Sequence, residues 1–208
     1  MKIKLCLLFS VILITSCSSS KISKNKIKYL DENNIEISKS KFNRKWQKNR
    51  LYIYGDSINT KKLALKEQHG KISSRPFLEA LLEKAINQKL DSTKPIVIIY
   101  HPGKDRCNSN GVNTKERIKK SSDQLKKGLN HIAKIKPIYI YKNNEALENY
   151  TGIVDWYKDP DGTIERLFFT LHYPCGSFVV ISKNGDYIST FSEYNNDFVL
   201  KATRQLNN

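Results

Sequence analysis

The stretch KPIVIIYHPG, Lys94 to Gly103, limits the folds open to this chain more than any other. From Pro95 to Tyr100 it is continuously apolar, with no polar alternation to give one face to water. A strand of that kind is covered on both faces, and in α/β proteins helices provide the cover. The run therefore predicts a central strand in a sheet with helices packed against it.

The flanking sequence supplies those helices and further strands. LYIYGD, from Leu51, is a β-branched and aromatic run ending in turn residues, and reads as a strand. In SSRPFLEALLEKAINQKL, Ser74 is placed to cap, Pro76 suits a first turn, and Phe77, Leu81 and Ala85 with Leu82 and Ile86 share one helical face. NTKERIKKSSDQLKKGLNHIAKIK offers a capping box at Asn113 and Glu116, with Ile118, Leu125, Leu129 and Ile132 lining one side. PIYIYKNN is a further strand, completing a βαβ unit whose crossover should be right-handed. Beyond it, Asp159-Pro160-Asp161-Gly162 is a strong turn and IERLFFTLHY looks strand-like. SFVVISKNGDYISTF is a hairpin closed at Asn184-Gly185, and NDFVLKATRQL is an amphipathic last helix. Trp46, Trp156 and the tyrosines read as packing residues, with Trp156-Tyr157 in a turn region where a partner has access.

The first residues, MKIKLCLLFSVILITSCSSS, place two lysines before an apolar run from Leu5 to Ile14. About 10 apolar residues do not cross a bilayer that needs roughly 20, so this is a secretory signal rather than a spanning helix. Its end, Ile14-Thr15-Ser16-Cys17, resembles the lipobox of bacterial lipoproteins, in which the cysteine is lipidated and becomes the new N-terminus. That resemblance implies a signal peptide over 1–16, lipidation at Cys17 and attachment to the cell envelope through acyl chains. From 17 to 44 the chain is polar and lysine-rich and reads as a tether, with one short strand around Ile35 to Ile37. Residues 45–208, about 160 in number, suit one domain with a real core.

A net charge of +16 raises the question of nucleic acid. The basic residues are scattered among Asn and Ile, and no arginine-rich stripe or aromatic stacking motif accompanies them, so nucleic-acid binding is not expected. The charge reads as a solvated surface suited to anionic lipid. Asp159-x-Asp161-Gly162 resembles the middle of a calcium loop, but an EF-hand would need an acid at Tyr157 and a glutamate at Phe168. No Gly-rich phosphate loop, G-x-S-x-G elbow or HExxH motif occurs, and no cofactor is implied.

The element order is strand, helix, strand, helix, strand, hairpin and helix, with Cys107 between the second strand and the helix after it. In this the chain resembles the thioredoxin-like superfamily from roughly Leu51 to Leu206, with an atypical insertion from Lys158 to His172. FVVISKNGDYIS looks like that family's closing hairpin. The resemblance implies an α/β fold on a mixed sheet and a reactive cysteine at Cys107. The family's CxxC is represented by Cys107-Asn108-Ser109-Asn110, which lacks the second thiol, and Ser177 stands where the family has proline. The resemblance also sets the Cys107 loop opposite the loop carrying Cys175. A disulfide between them would close about 68 residues, worth about 4 kcal/mol by chain entropy. Two other roles stay open. In one, Cys107 is a nucleophile with Lys104 and Arg106 nearby, and Cys175 resolves it. In the other, His101 and Cys107 with His172 and Cys175 form a zinc or copper(I) set; this resembles the copper-delivery branch of the superfamily, which binds with two cysteines and one histidine but has its cysteines together as CxxxC, a spacing this chain lacks. The expected function is a lipid-anchored binding or accessory module for an unidentified envelope protein, with thiol-disulfide exchange as the enzymatic alternative.

Overall fold

The computed structural model of the chain describes residues 27–49, 51–57, 59–105, 114–171, 176–191 and 194–207. In chain order these form β1 (Lys28–Leu30), α1 (Lys39–Asn49), β2 (Tyr52–Ser57), β3 (Thr60–Ala64), β4 (Glu67–Lys71), α2 (Arg75–Ile86), β5 (Ile96–His101) and α3 (Lys115–Ala133). There follow β6 (Ile138–Tyr141), β7 (Trp156–Lys158), α4 (Thr163–Phe168), β8 (Ser177–Ile181), β9 (Asp186–Thr190) and α5 (Asn196–Leu206). The fold is mixed α/β.

The main sheet has six strands in the order β4-β9-β8-β5-β6-β7. β5, β6 and β7 run parallel, β8 is antiparallel to both β5 and β9, and β4 closes the far edge antiparallel to β9. β5 is buried along its whole length, as an apolar run without alternation requires. Its side chains divide between two cores by the two-residue period of a strand. Ile96, Ile98 and Tyr100 join Leu78, Leu82, Ile164 and Phe168, from α2 and α4, on one face. Val97 and Ile99 join Leu125, Leu129, Val199 and Ala202, from α3 and α5, on the other. The architecture is therefore three layers, with the sheet between two pairs of helices.

Local chemistry explains the helix ends. Ser74 accepts a hydrogen bond from the Phe77 amide at 3.3 Å at the start of α2, with Pro76 in the first turn. Asn195 does the same for Phe198 in α5 at 3.2 Å. The hairpin β8–β9 turns at Gly185, whose φ of +85° glycine adopts without strain.

Several expectations are corrected. LYIYGD is a strand, β2, but it lies in a separate three-stranded sheet of order β1-β3-β2 over a small core of Phe42, Leu51 and Leu63. The main-sheet strand ahead of α2 is instead β4, EQHGK, whose alternately exposed polar side chains suit an edge and carry no apolar signal. Within the 17–44 tether, the described residues from 27 onward are structured: they include β1 and the start of α1, with Phe42 1% exposed. The strand placed at Ile35 to Ile37 is reduced to a single bridge between Leu30 and Glu36. IERLFFTLHY is not a strand at its start, because Asp159 accepts from the amides of Ile164 and Glu165 at 2.9 Å each and launches α4. The α3 cap is Thr114, accepting from the Arg117 amide at 3.4 Å. On α2 the buried apolar positions are Leu78 and Leu82, while Phe77 is 63% exposed.

Candidate functional site

The main sheet leads three elements to one corner: the C-terminal ends of the parallel strands, the first turns of α3 and the start of α5. Between them lies a cleft of about 720 Å³, within the range of small-molecule sites. Its floor carries Ile99, His101, Tyr139 and Trp156, α3 gives Ile118, Ser122 and Leu125, and Tyr150 and Tyr194 also line it. The Asn196 amide group of α5 donates to the Ser121 carbonyl of α3 at 2.8 Å and holds the two helices together at the rim.

Trp156 organises the interior. Its ring makes edge-to-face contacts with His101 at 5.6 Å, Tyr139 at 5.2 Å and Tyr150 at 5.5 Å between centroids. Such contacts leave hydrogen-bonding tips to find partners elsewhere. Two tips here have none: Tyr139 Oη and Trp156 Nε1 are shut off from solvent without a hydrogen-bond partner among the described residues. Burial holds the Tyr139 phenol well above its ordinary range, with the neighbouring Tyr150 acting in the same direction. Burial likewise raises Tyr194, with Tyr150 and Tyr139 adding to the shift. These phenols stay protonated and can act as donors.

His101 ends β5 and is 5% exposed. Its Nε2 donates to the Glu145 carbonyl at 2.8 Å, since a carbonyl only accepts, so the remaining ring lone pair is on Nδ1. Burial lowers its pKa, more than the Glu145 bond and the charges of Asp105 and Glu148 raise it, and the ring is neutral. Of the metal set formed from His101, Cys107, His172 and Cys175, only His101 is described. Cys17, Cys107, His172 and Cys175 all lie outside the described residues. Among the described residues no group of three or more His, Cys, Asp or Glu is placed to hold a metal ion.

The strands that anchor the two cysteine loops are neighbours. Tyr100, next to the end of β5, pairs with Ser177, the first residue of β8. Gly176, with φ +109°, passes so close that a Cβ there would sit 3.2 Å from the Tyr100 carbonyl oxygen. Only glycine combines that φ with that approach. Gly176 also borders the cleft.

From the sequence the cleft aromatics read as packing residues, with a partner's access expected only at Trp156-Tyr157, and Trp156 proves to start β7 rather than sit in a turn. The signal this reading passed over is the alternation in IYIY, which turns Tyr139 toward α3 with Trp156 beside it and obliges a phenol hydroxyl to be buried. A second groove, of about 510 Å³, lies at the opposite ends of β5 and β6 and is rich in lysine. There Lys94 pairs with Asp91, Lys89 with Glu83, and Lys126 donates to the Ile153 carbonyl.

No protein-family model, curated protein or solved structure matches the chain.

Proposed function

We propose that the chain is a lipid-anchored protein of the bacterial cell envelope whose α/β domain is a degenerate thioredoxin-like module. Its role in this reading is to bind a partner rather than to exchange disulfides. The lipobox-like Ile14-Thr15-Ser16-Cys17 supports the anchor. No helix among the described residues is long and apolar enough to cross a membrane.

The observation that carries the domain reading is the junction of β5 and β8. A parallel βαβ unit, β5-α3-β6, is joined edge to edge with the antiparallel hairpin β8–β9 and covered by α5. At that junction the loop after His101 and the loop before Ser177 start from adjacent strands, which favours a Cys107–Cys175 disulfide. The single thiol at Cys107-Asn108-Ser109-Asn110 weighs against dithiol chemistry. Openness at the C-terminal ends of parallel strands favours binding, because ligands of α/β sheets settle there.

Metabolic labelling with palmitate tests the anchor. The chain should take up label and fractionate with membranes, and Cys17→Ser should lose both. Label retained by Cys17→Ser, or none in the parent chain, would overturn it.

A further inference from the structure

Among the described helices α1, KSKFNRKWQKN, is the one that contains neither Asp nor Glu. On it Lys41, Arg44 and Lys48, spaced by three and four residues, form a stripe turned away from the buried Phe42. All three are exposed, as are Ser40 and Gln47 beside them, so this outer face holds cations and no apolar residue. Among the described residues none of the three has a carboxylate partner, because Asp31 and Glu32, in the turn after β1, are both taken by Lys45, at 3.1 and 2.7 Å. The stripe does not serve the helix. Lys41 stands in the first turn, where the helix dipole disfavours a cation, and like charges three and four residues apart repel. An anionic surface laid against the stripe would offset both costs.

The place of α1 in the fold says which surface that is. α1 packs on β1, the first described strand, with the rings of Phe42 and Tyr29 edge to face at 5.1 Å between centroids. In the lipid-anchored reading, the 10 residues 17–26 lead from the acylated Cys17 to Ile27, just ahead of β1. Even fully extended they span at most about 35 Å, which keeps the bilayer within reach of α1. A basic patch is the kind of second signal that strengthens an acyl anchor, each Lys or Arg adding about fivefold at an anionic surface.

We propose that Lys41, Arg44 and Lys48 of α1 are a docking face for the anionic lipid of the membrane that holds the anchor. The inference rests on the lipid-anchored reading and names the surface that the folded part lies against.

The test takes the protein from membranes, with its acyl chains confirmed by mass, and places it in vesicles of phosphatidylcholine or of phosphatidylcholine and phosphatidylglycerol in equal amounts. Lysine acetylation is followed residue by residue. It proceeds from the undocked molecule, so its slowing reads the docking equilibrium. On the mixed vesicles Lys41 and Lys48 should be slowed at least about tenfold relative to phosphatidylcholine, and the exposed Lys84, Lys120 and Lys201, on α2, α3 and α5, much less. Salt at 1 M, which cuts the screening length to about 3 Å, should abolish the slowing. Arg44→Gln removes one exposed cation and leaves both reporter amines in place, so the slowing should fall about fivefold. Equal rates at Lys41 and Lys48 on the two kinds of vesicle, slowing shared equally by Lys84, Lys120 and Lys201, slowing that survives the salt, or an Arg44→Gln protein protected like the parent would each overturn the proposal. Acylation is confirmed before the vesicles are made, so failure here leaves the anchor standing, whereas failed palmitate labelling removes the anchor itself.

Discussion

His101 shows how one side chain changes meaning between sequence and structure. In the sequence it stands six residues before Cys107 and invites a metal reading. In the fold it is the last residue of β5, packed edge-on to Trp156, with Nε2 spent on the Glu145 carbonyl. Its burial makes a prediction about pH. The folded pKa is lowered from 6.5, so below 6.5 the unfolded chain binds a proton that the fold resists. Stability is therefore greatest above 6.5, is lost as pH falls through that value, and levels off below the folded pKa. His101→Gln keeps a donor for Glu145 but does not titrate. Urea midpoints of the parent should fall more steeply than those of His101→Gln as pH drops below neutrality. Parallel curves would mean that His101 is not held neutral. The sequence carried the position of His101 but not its partner, because Glu145 is 44 residues away in the chain.

At the scale of elements, strands and helices with strong apolar patterns were legible: β5, β6, β8, β9, α2, α3 and α5 all fall where periodicity puts them. The failures share a cause. β4 is polar because only one edge of it is paired, and α4 exists because the buried Asp159 carboxylate caps it rather than because of its own composition. On α2 the expected apolar face holds at Leu82 and Ile86 but not at Phe77, because the first turn buries a charge instead. Arg75, 7% exposed, donates to the carbonyls of Ser92, Lys94 and Lys183 and pairs with Glu79 at 2.8 Å. It ties α2 to the turn before β5 and to the tip of the β8–β9 hairpin. Arg75→Met should cost about 2–4 kcal/mol by urea denaturation, since three carbonyls and Glu79 lose their partner. Arg75→Lys should recover only part of that, because an ammonium cannot reach carbonyls that a planar guanidinium bridges. A loss below about 1 kcal/mol for Arg75→Met would show that water replaces the guanidinium.

At the scale of the whole molecule, the proposal of a stapled binding domain turns on the state of Cys107 and Cys175. Trapping the membrane-derived protein with an alkylating agent and weighing it should find Cys107 and Cys175 joined, and the bond should survive mild dithiothreitol. Cys107→Ser should then lower stability, by up to about 4 kcal/mol, with no exchange activity to lose. A bond that opens under mild reduction, with insulin-reducing activity that disappears in Cys107→Ser, would make the protein an oxidoreductase instead. By itself the sequence determined the α/β character of the chain, its central strand and its cysteine positions, because period-two and period-3.6 patterns and covalent placement are local properties. Only the tertiary structure decided which strands share a sheet, that residues 28–44 join the folded part, and that Tyr139, Tyr150, Trp156 and Tyr194 surround one cleft. Strand partners and cleft walls come from segments distant in the chain, and what selects them is the joint burial of surfaces that no single window of sequence contains.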